Sequence, residues 1–345
     1  MTTGTNIVIR IARQPPPGPL AADTFDYVEE PLAPLADGEI RVESIYAAID
    51  AGSRAALDDQ SAYVIKTRPG GRASTSAMVG RVVDSRHPEW RPGEYARVLM
   101  TTRQQYVTLT PAQGQVFKAD PAAGPLAMHA GLLGLTGFTA WVGIFEIGRP
   151  KAGETVLVSA AAGAVGSVAG QYARIAGARV IGIAGGPDKC RFVREQFGFD
   201  DCIDYKHEDV GAAIERTCPE GVDVYFENVG GEIQKAAFAR LNDFGRVAMC
   251  GQIAQYSGAG EPPGPNLMQV VLRRLRVHGF LASDHMELLP RFTEETSRWY
   301  REGRIRQRTS IVEGMRNLHE AINALVEGRN LGQQLHQMAA DPTAA

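Results

Sequence analysis

Two rhythms of apolar and polar positions divide this chain. Ahead of Met128, short β-branched runs are broken by proline and glycine turns. "EIRVESIYAAID" (Glu39 to Asp50), "MVGRVVDS" (Met78 to Ser85) and "GEYARVLM" (Gly93 to Met100) read as strands, with "EWRPG" as the turn between the last two. No helical period shows before Met128, so this part predicts an irregular β-rich domain. From Gly153 the pattern changes to strand, glycine turn and helix in alternation. "TVLVSA" (Thr155 to Ala160), "ARVIGIAG" (Ala178 to Gly185), "DDCIDY", "VDVYFENVG" (Val222 to Gly230) and "GRVAMCG" (Gly245 to Gly251) are the strands. Helices fall between them, among them Asp188 to Gly198 and Val210 to Thr217. Such alternation predicts an α/β fold with a doubly wound parallel sheet, helices on both faces. The tail from Arg308 predicts a strand, an amphipathic helix and a last strand returning to the N-terminal β domain.

Composition narrows the class. Hydrophobic residues make 44% and charged residues 22% of the 345, as in ordinary globular chains. A net charge of −3 gives no global field toward nucleic acid or anionic membrane. The sequence shows no signal-peptide pattern and no apolar run of membrane-spanning length, so a cytoplasmic protein is expected. The four cysteines, Cys190, Cys202, Cys218 and Cys250, have no CxxC spacing and no histidine placed to complete a zinc site.

Three features carry chemistry. The first is Ala161-Ala162-Gly163-Ala164-Val165-Gly166, a GxGxxG with alanine in its first place, set between a strand and a helix. Gly163 allows close backbone approach to a pyrophosphate, Gly166 allows close helix–strand packing, and the helix start offers N–H donors to an anion. The second is the tip of the next strand, Ala184-Gly185-Gly186-Pro187. It lacks the acid that usually holds the ribose 2′-hydroxyl of NAD, and Lys189 follows. A first-turn lysine is often merely solvated, but the missing acid tips the reading toward a 2′-phosphate and hence NADPH. The third is that no cysteine precedes Cys190, while His87 and His129 have no acidic or thiol neighbour at ligand spacing. No metal site is expected. Chemistry without a Lewis acid favours hydride addition to an activated alkene over alcohol oxidation.

With these residues in hand, the chain resembles the medium-chain dehydrogenase/reductases, in the zinc-independent leukotriene/prostaglandin reductase and 2-alkenal double-bond reductase branch. The stretches that carry the resemblance are "LTGFTAW" (Leu135 to Trp141), "AAAGAVGSVAGQ" (Ala160 to Gln171), "YFENVGGE" (Tyr225 to Glu232), "FGRVAMCGQIAQY" (Phe244 to Tyr256), "GPNL", "GFLASD" (Gly279 to Asp284) and "EGRNLGQ" (Glu327 to Gln333). The resemblance implies a GroES-like catalytic domain from residues 1–130 and 305–345, a Rossmann NADPH-binding domain over 131–304, an active site where they meet, and a homodimer.

Its residue roles follow. Gly163, Ala164, Val165 and Gly166 would cradle the pyrophosphate. Lys189 and Tyr205 would bracket the 2′-phosphate. Asn228 would sit at the carboxyl edge of the sheet, where α/β folds bind ligands. The loop Cys250, Gly251, Gln252, Ile253 to Tyr256, and Phe280, Leu281 and Ala282 would line the nicotinamide. Thr139 would join them and Asn330 would close over the cofactor. Tyr256 is the expected catalytic donor, holding the enolate oxygen after hydride reaches the β-carbon of an enone or enal. Some positions depart from the family pattern. Asp50-Ala51-Gly52-Ser53-Arg54 lacks the usual substrate-facing tyrosine, Asp58 to Ser76 matches poorly, and Glu227 stands where aspartate is frequent. Two other functions remain open at this point: a quinone reductase of the same superfamily, and a crystallin-like or RNA-associated nucleotide-binding protein without turnover. Enone turnover against quinone turnover separates the first. Tight NADPH binding without any turnover would mark the second.

Overall fold

The computed structural model describes residues 4–58, 66–111, 116–255 and 264–344. The chain divides into two compact units, Met1–Leu135 with Thr309–Ala345, and Thr136–Arg308.

The first unit opens with β1 (Thr5–Ile11) and β2 (Phe25–Pro31), paired antiparallel. β3 (Ile40–Ile49) is the long central strand and is nearly all buried. The expectation of no helix in this region is corrected here. α1 (Ala51–Ala55) follows β3 directly, started by an Asp50–Ser53 capping box. Five residues are too few to show a period, so only the cap could have revealed it. β4 (Ser74–Ser85), β5 (Tyr95–Thr102), β6 (Tyr106–Leu109), β7 (Val116–Lys118) and α2 (Leu126–Ala130) complete this stretch. Gly80 in β4 lies so close to β3 that an added Cβ would fall 2.0 Å from the Glu43 carbonyl oxygen.

The second unit begins with α3 (Leu135–Trp141), continued by a π-helical stretch, Val142–Gly148. The alternation then runs β8 (Thr155–Val158), α4 (Ala164–Ile175), β9 (Arg179–Ala184), α5 (Pro187–Phe197), β10 (Asp201–Asp204), α6 (Val210–Thr217), β11 (Val222–Glu227), α7 (Gly231–Ala239), β12 (Leu241–Met249), α8 (Met268–Leu272), β13 (Arg276–Gly279) and α9 (Leu289–Arg301). Its six strands are parallel in the order β10-β9-β8-β11-β12-β13. This is the doubly wound arrangement whose strand order reverses beside the first strand, β8. Burial on both faces explains the apolar runs of the central strands β8 and β9. Leu157, Ile181, Ile203, Tyr225 and Val247 join one core cluster with Ile214 and Phe238. α4 packs down on Phe199, because Gly170 has no side chain to hold them apart.

The chain then returns through β14 (Thr309–Glu313), α10 (Leu318–Val326) and β15 (Gln333–Gln337). β15 pairs antiparallel with β3, giving a sheet of order β14-β15-β3-β4-β5-β7, with β6 also on β3. The tail is thus part of the N-terminal unit's core, where Leu318, Ala321 and Ile322 pack with Ile9, Phe25 and Ile49.

Candidate functional site

The parallel sheet ends at a carboxyl edge where its βα turns gather, and α/β folds hold their ligands at such an edge. The β8–α4 turn is tight. Ala160 takes a left-handed φ of 51°, and Gly163 N–H closes back on Ala160 O at 2.9 Å. Gly163 is the N-cap of α4, and the helix's first bond runs from Ser167 N–H to Gly163 O at 3.1 Å. The N–H groups of Ala164, Val165 and Gly166 therefore precede the helix's own bonding and are donors that could hold an anion. Gly166 is obligatory. A Cβ there would sit 2.3 Å from Ala160 O.

At the neighbouring turn, between β9 and α5, Lys189 is half-buried in the first turn of the helix. Burial lowers its ammonium below the ordinary value, and the charge of Lys206 lowers it further. No acid pairs with Lys189 or Lys206 among the described residues. Tyr205 lies alongside, its ring 2.9 Å from the point where Gly185 would carry a Cβ. The acid absent from the β9 tip stands instead on β10. Asp204 is buried and accepts N–H bonds from Gly186 at 2.7 Å and Lys206 at 3.1 Å, with His207 Nδ1 at 2.7 Å. Burial opposes its ionisation, yet the Gly186 N–H and His207 hold its carboxyl below the ordinary value. The edge thus presents two cations and a phenol, with its carboxylate turned into the turn. That arrangement fits a 2′-phosphorylated dinucleotide, with Lys189, Lys206 and Tyr205 toward the phosphate and the α4 start toward the pyrophosphate.

At the ends of β12 and β13 lies a cleft of about 360 Å³. Cys250, Gly251, Gln252, Phe280 and Leu281 line it, joined by Met249, Gly279 and Asp284. Burial pushes the Cys250 thiol up to about 12, with the Glu227 charge adding to the effect, so it is neutral at ordinary pH. Phe280 is held from behind by the π-helical stretch, since a Cβ on Gly143 would fall 2.8 Å from the Phe280 ring. Ile253 begins a short 3₁₀ turn and is exposed, and Ala282 is buried beside Leu281. Asn228 does not point outward as a ligand amide. Its Nδ2 donates to Ser159 O at 2.7 Å and its N–H to Ser159 Oγ at 2.8 Å. Thr139 is half-buried in α3. Asn330 belongs to the first unit, where its Nδ2 donates to Gly332 O at 3.0 Å. Tyr256 and part of the divergent Asp58–Ser76 segment lie outside the described residues.

Sequence reading passed over Ser159, Asp204, Lys206 and the structural place of Glu227. A signal existed for the last. Glu227 follows the apolar run Val224-Tyr225-Phe226, and a carboxyl group there is 0% exposed and must find partners.

The family described as N-terminal domain of oxidoreductase matches residues 9–117, and that described as zinc-binding dehydrogenase matches residues 164–297. The NADPH-dependent curcumin reductase of Escherichia coli is 34% identical over 332 residues, spanning 94% of this chain and 95% of that protein. This chain is a medium-chain dehydrogenase/reductase of the zinc-independent branch. The 2-alkenal reductase of Nicotiana tabacum shares 34% identity over 303 residues, 88% of each chain. The crystal structure of CurA from Vibrio vulnificus in complex with NADPH is similar with a TM-score of 0.87 and 33% identity, covering 97% of this chain and 99% of that one. Among the described residues of this medium-chain dehydrogenase/reductase, no group of three or more His, Cys, Asp or Glu side chains is arranged to hold a metal ion.

Proposed function

We propose that this protein is an NADPH-dependent reductase of the carbon–carbon double bond in α,β-unsaturated ketones and aldehydes. The observation that carries the reading is the cationic edge formed by Lys189 and Lys206 beside the α4 start, without a ribose-binding acid at the β9 tip. The substrate class is supported by relatives that span nearly the whole chain and are named for reduction of curcumin and 2-alkenals. Bound here, NADPH supplies the hydride that the β-carbon of the unsaturated carbonyl accepts. The chain's own part is to hold the dinucleotide, keep the nicotinamide end in a cleft walled by Phe280 and Cys250, and donate a hydrogen bond from Tyr256 to the carbonyl oxygen. No protein nucleophile is required, and a neutral Cys250 thiol suits a site that admits electrophiles. We assign the catalytic-domain role to residues 1–130 and 305–345 and the cofactor role to 131–304.

The assay is a panel of enals, cyclic enones and long-chain enones against quinones, with NADPH consumption followed and products identified by mass. Products gaining two hydrogens across the alkene are expected. Turnover of quinones alone would overturn the reading.

We also propose a homodimer. β13 is the open edge of the parallel sheet and is exposed along its whole length. Around it stand Phe244, Leu267, Met268, Val271 and Leu272, each more than half exposed. Such a patch beside a strand with one open edge suits a second copy of the chain. Light scattering should give twice the 37.2 kDa chain mass, and Val271→Asp should give the monomer. Four cysteines without a disulfide suit a reducing compartment, and the cytoplasm is the proposed location.

A further inference from the structure

Glu227 is the last residue of β11, 0% exposed, and no part of the proposed chemistry uses it. All of its side-chain hydrogen bonds fall on Oε1, and Oε2 has no hydrogen-bond partner among the described residues. Oε1 accepts Ser159 Oγ–H at 3.0 Å, Val229 N–H at 2.6 Å and Gly230 N–H at 3.1 Å. Its main-chain oxygen accepts Cys250 N–H at 2.9 Å and Gly251 N–H at 3.1 Å. The turn it grips carries the next segment in its turn, since Ile253 N–H donates to Asn228 O at 3.1 Å and Ala254 N–H to Val229 O at 3.0 Å. Gln252 packs over the same turn, 3.4 Å from where Gly230 would carry a Cβ. Cys250, Gly251 and Gln252 are wall residues of the cleft.

We infer that Glu227 is a positioning residue: its Oε1 fixes the Asn228–Gly230 turn, and through that turn the Cys250–Ala254 wall against which the nicotinamide end of the cofactor rests. The inference rests on the NADPH reading above. A buried carboxyl group with three donors on one oxygen is costly to assemble and rigid once assembled. The simplest use of that rigidity is to set a wall that backbone propensity alone would leave loose. Ser159 extends the device. Its hydroxyl donates to Glu227 and receives Asn228 N–H at 2.8 Å, which locks the end of β8 to the end of β11.

The effect should be confined to one half of the cofactor. The adenosine 2′-phosphate end is assigned to Lys189, Lys206 and Tyr205 on other turns. The test compares NADPH with 2′,5′-ADP, which lacks the nicotinamide, by titration calorimetry on the full chain. Glu227→Ala should weaken NADPH about 10- to 100-fold, on the scale of losing one to two buried hydrogen bonds. It should leave 2′,5′-ADP within about twofold. Glu227→Gln, which keeps an acceptor oxygen, should restore most of the NADPH affinity. Ser159→Ala, a milder change that tests the same network if Glu227→Ala does not fold, should weaken NADPH about 3- to 10-fold with 2′,5′-ADP unchanged. Equal loss of both ligands, unchanged NADPH affinity in Ser159→Ala, or no rescue by Gln would overturn the inference. A wild-type protein that binds neither ligand overturns the NADPH reading, and this one with it.

Discussion

Gly186 N–H donates to Asp204 Oδ1 at 2.7 Å, and this bond ties Asp204 down at the β9–α5 turn. The carboxylate is engaged by the β9–α5 turn, which leaves Lys189 and Lys206 without an acidic partner among the described residues. A charge-assisted bond to a phosphate contributes roughly 1.5–3 kcal/mol. Lys189→Ala should therefore weaken NADPH about 10- to 150-fold and NADH hardly at all. Fluorescence titration with both cofactors checks this, and equal losses would assign Lys189 to the fold.

Tyr256 carries the catalytic expectation. A phenol with an ordinary pKa of about 10 is a neutral donor at working pH. An oxygen gaining negative charge accepts its bond more strongly than the ground-state carbonyl does. Tyr256→Phe should lower turnover on the best enone about 10- to 100-fold, about 1.5–3 kcal/mol, with NADPH affinity nearly constant. Unchanged turnover would leave Tyr256 as a pocket wall.

Gly170 and Phe199 form a steric pair. A Cβ on Gly170 would meet the Phe199 ring at 1.9 Å, so α4 cannot keep its place over the sheet with alanine there. Overpacking should cost roughly 1–3 kcal/mol in spite of alanine's better helix propensity. Thermal melts should show Gly170→Ala destabilised and Phe199→Leu partly restoring it in the double variant. Additive losses would mean the two sites do not communicate.

Two histidines make stability depend on acidity. Burial, then the charge of Arg97, lowers His129 to about 4, and burial, then Arg103, lowers His336 to about 3. Both are below the ordinary value of 6.5, so the unfolded chain binds these protons first. Their contribution is intact above 6.5 and falls as pH drops toward the folded values, by up to about 1.4 kcal/mol per pH unit for each histidine. Denaturant melts between pH 6.5 and 5, above the range where carboxylates dominate, should show the slope. Replacing His336 with glutamine should flatten it. A slope unchanged by that substitution would place the acid sensitivity elsewhere.

Local pattern was enough for much of this molecule. The strand–turn–helix alternation pointed to the parallel sheet, because central strands buried on both faces are largely apolar and the helices between them amphipathic. The glycine turn before α4 and the acid-free tip of β9 were legible for the same reason, since backbone approach and charge are properties of single positions. The short helix after Asp50 was missed because five residues carry no period. What tertiary structure alone decided is where the polar groups on neighbouring strands turn. Asp204 faces Gly186, eighteen residues earlier, and Ser159 reaches Glu227 across from β8 to β11. Those partners are set by the strand order, which places β8 next to β11 and β9 next to β10. A buried donor or acceptor is obliged to find a partner, but its identity depends on neighbours that only the folded sheet supplies.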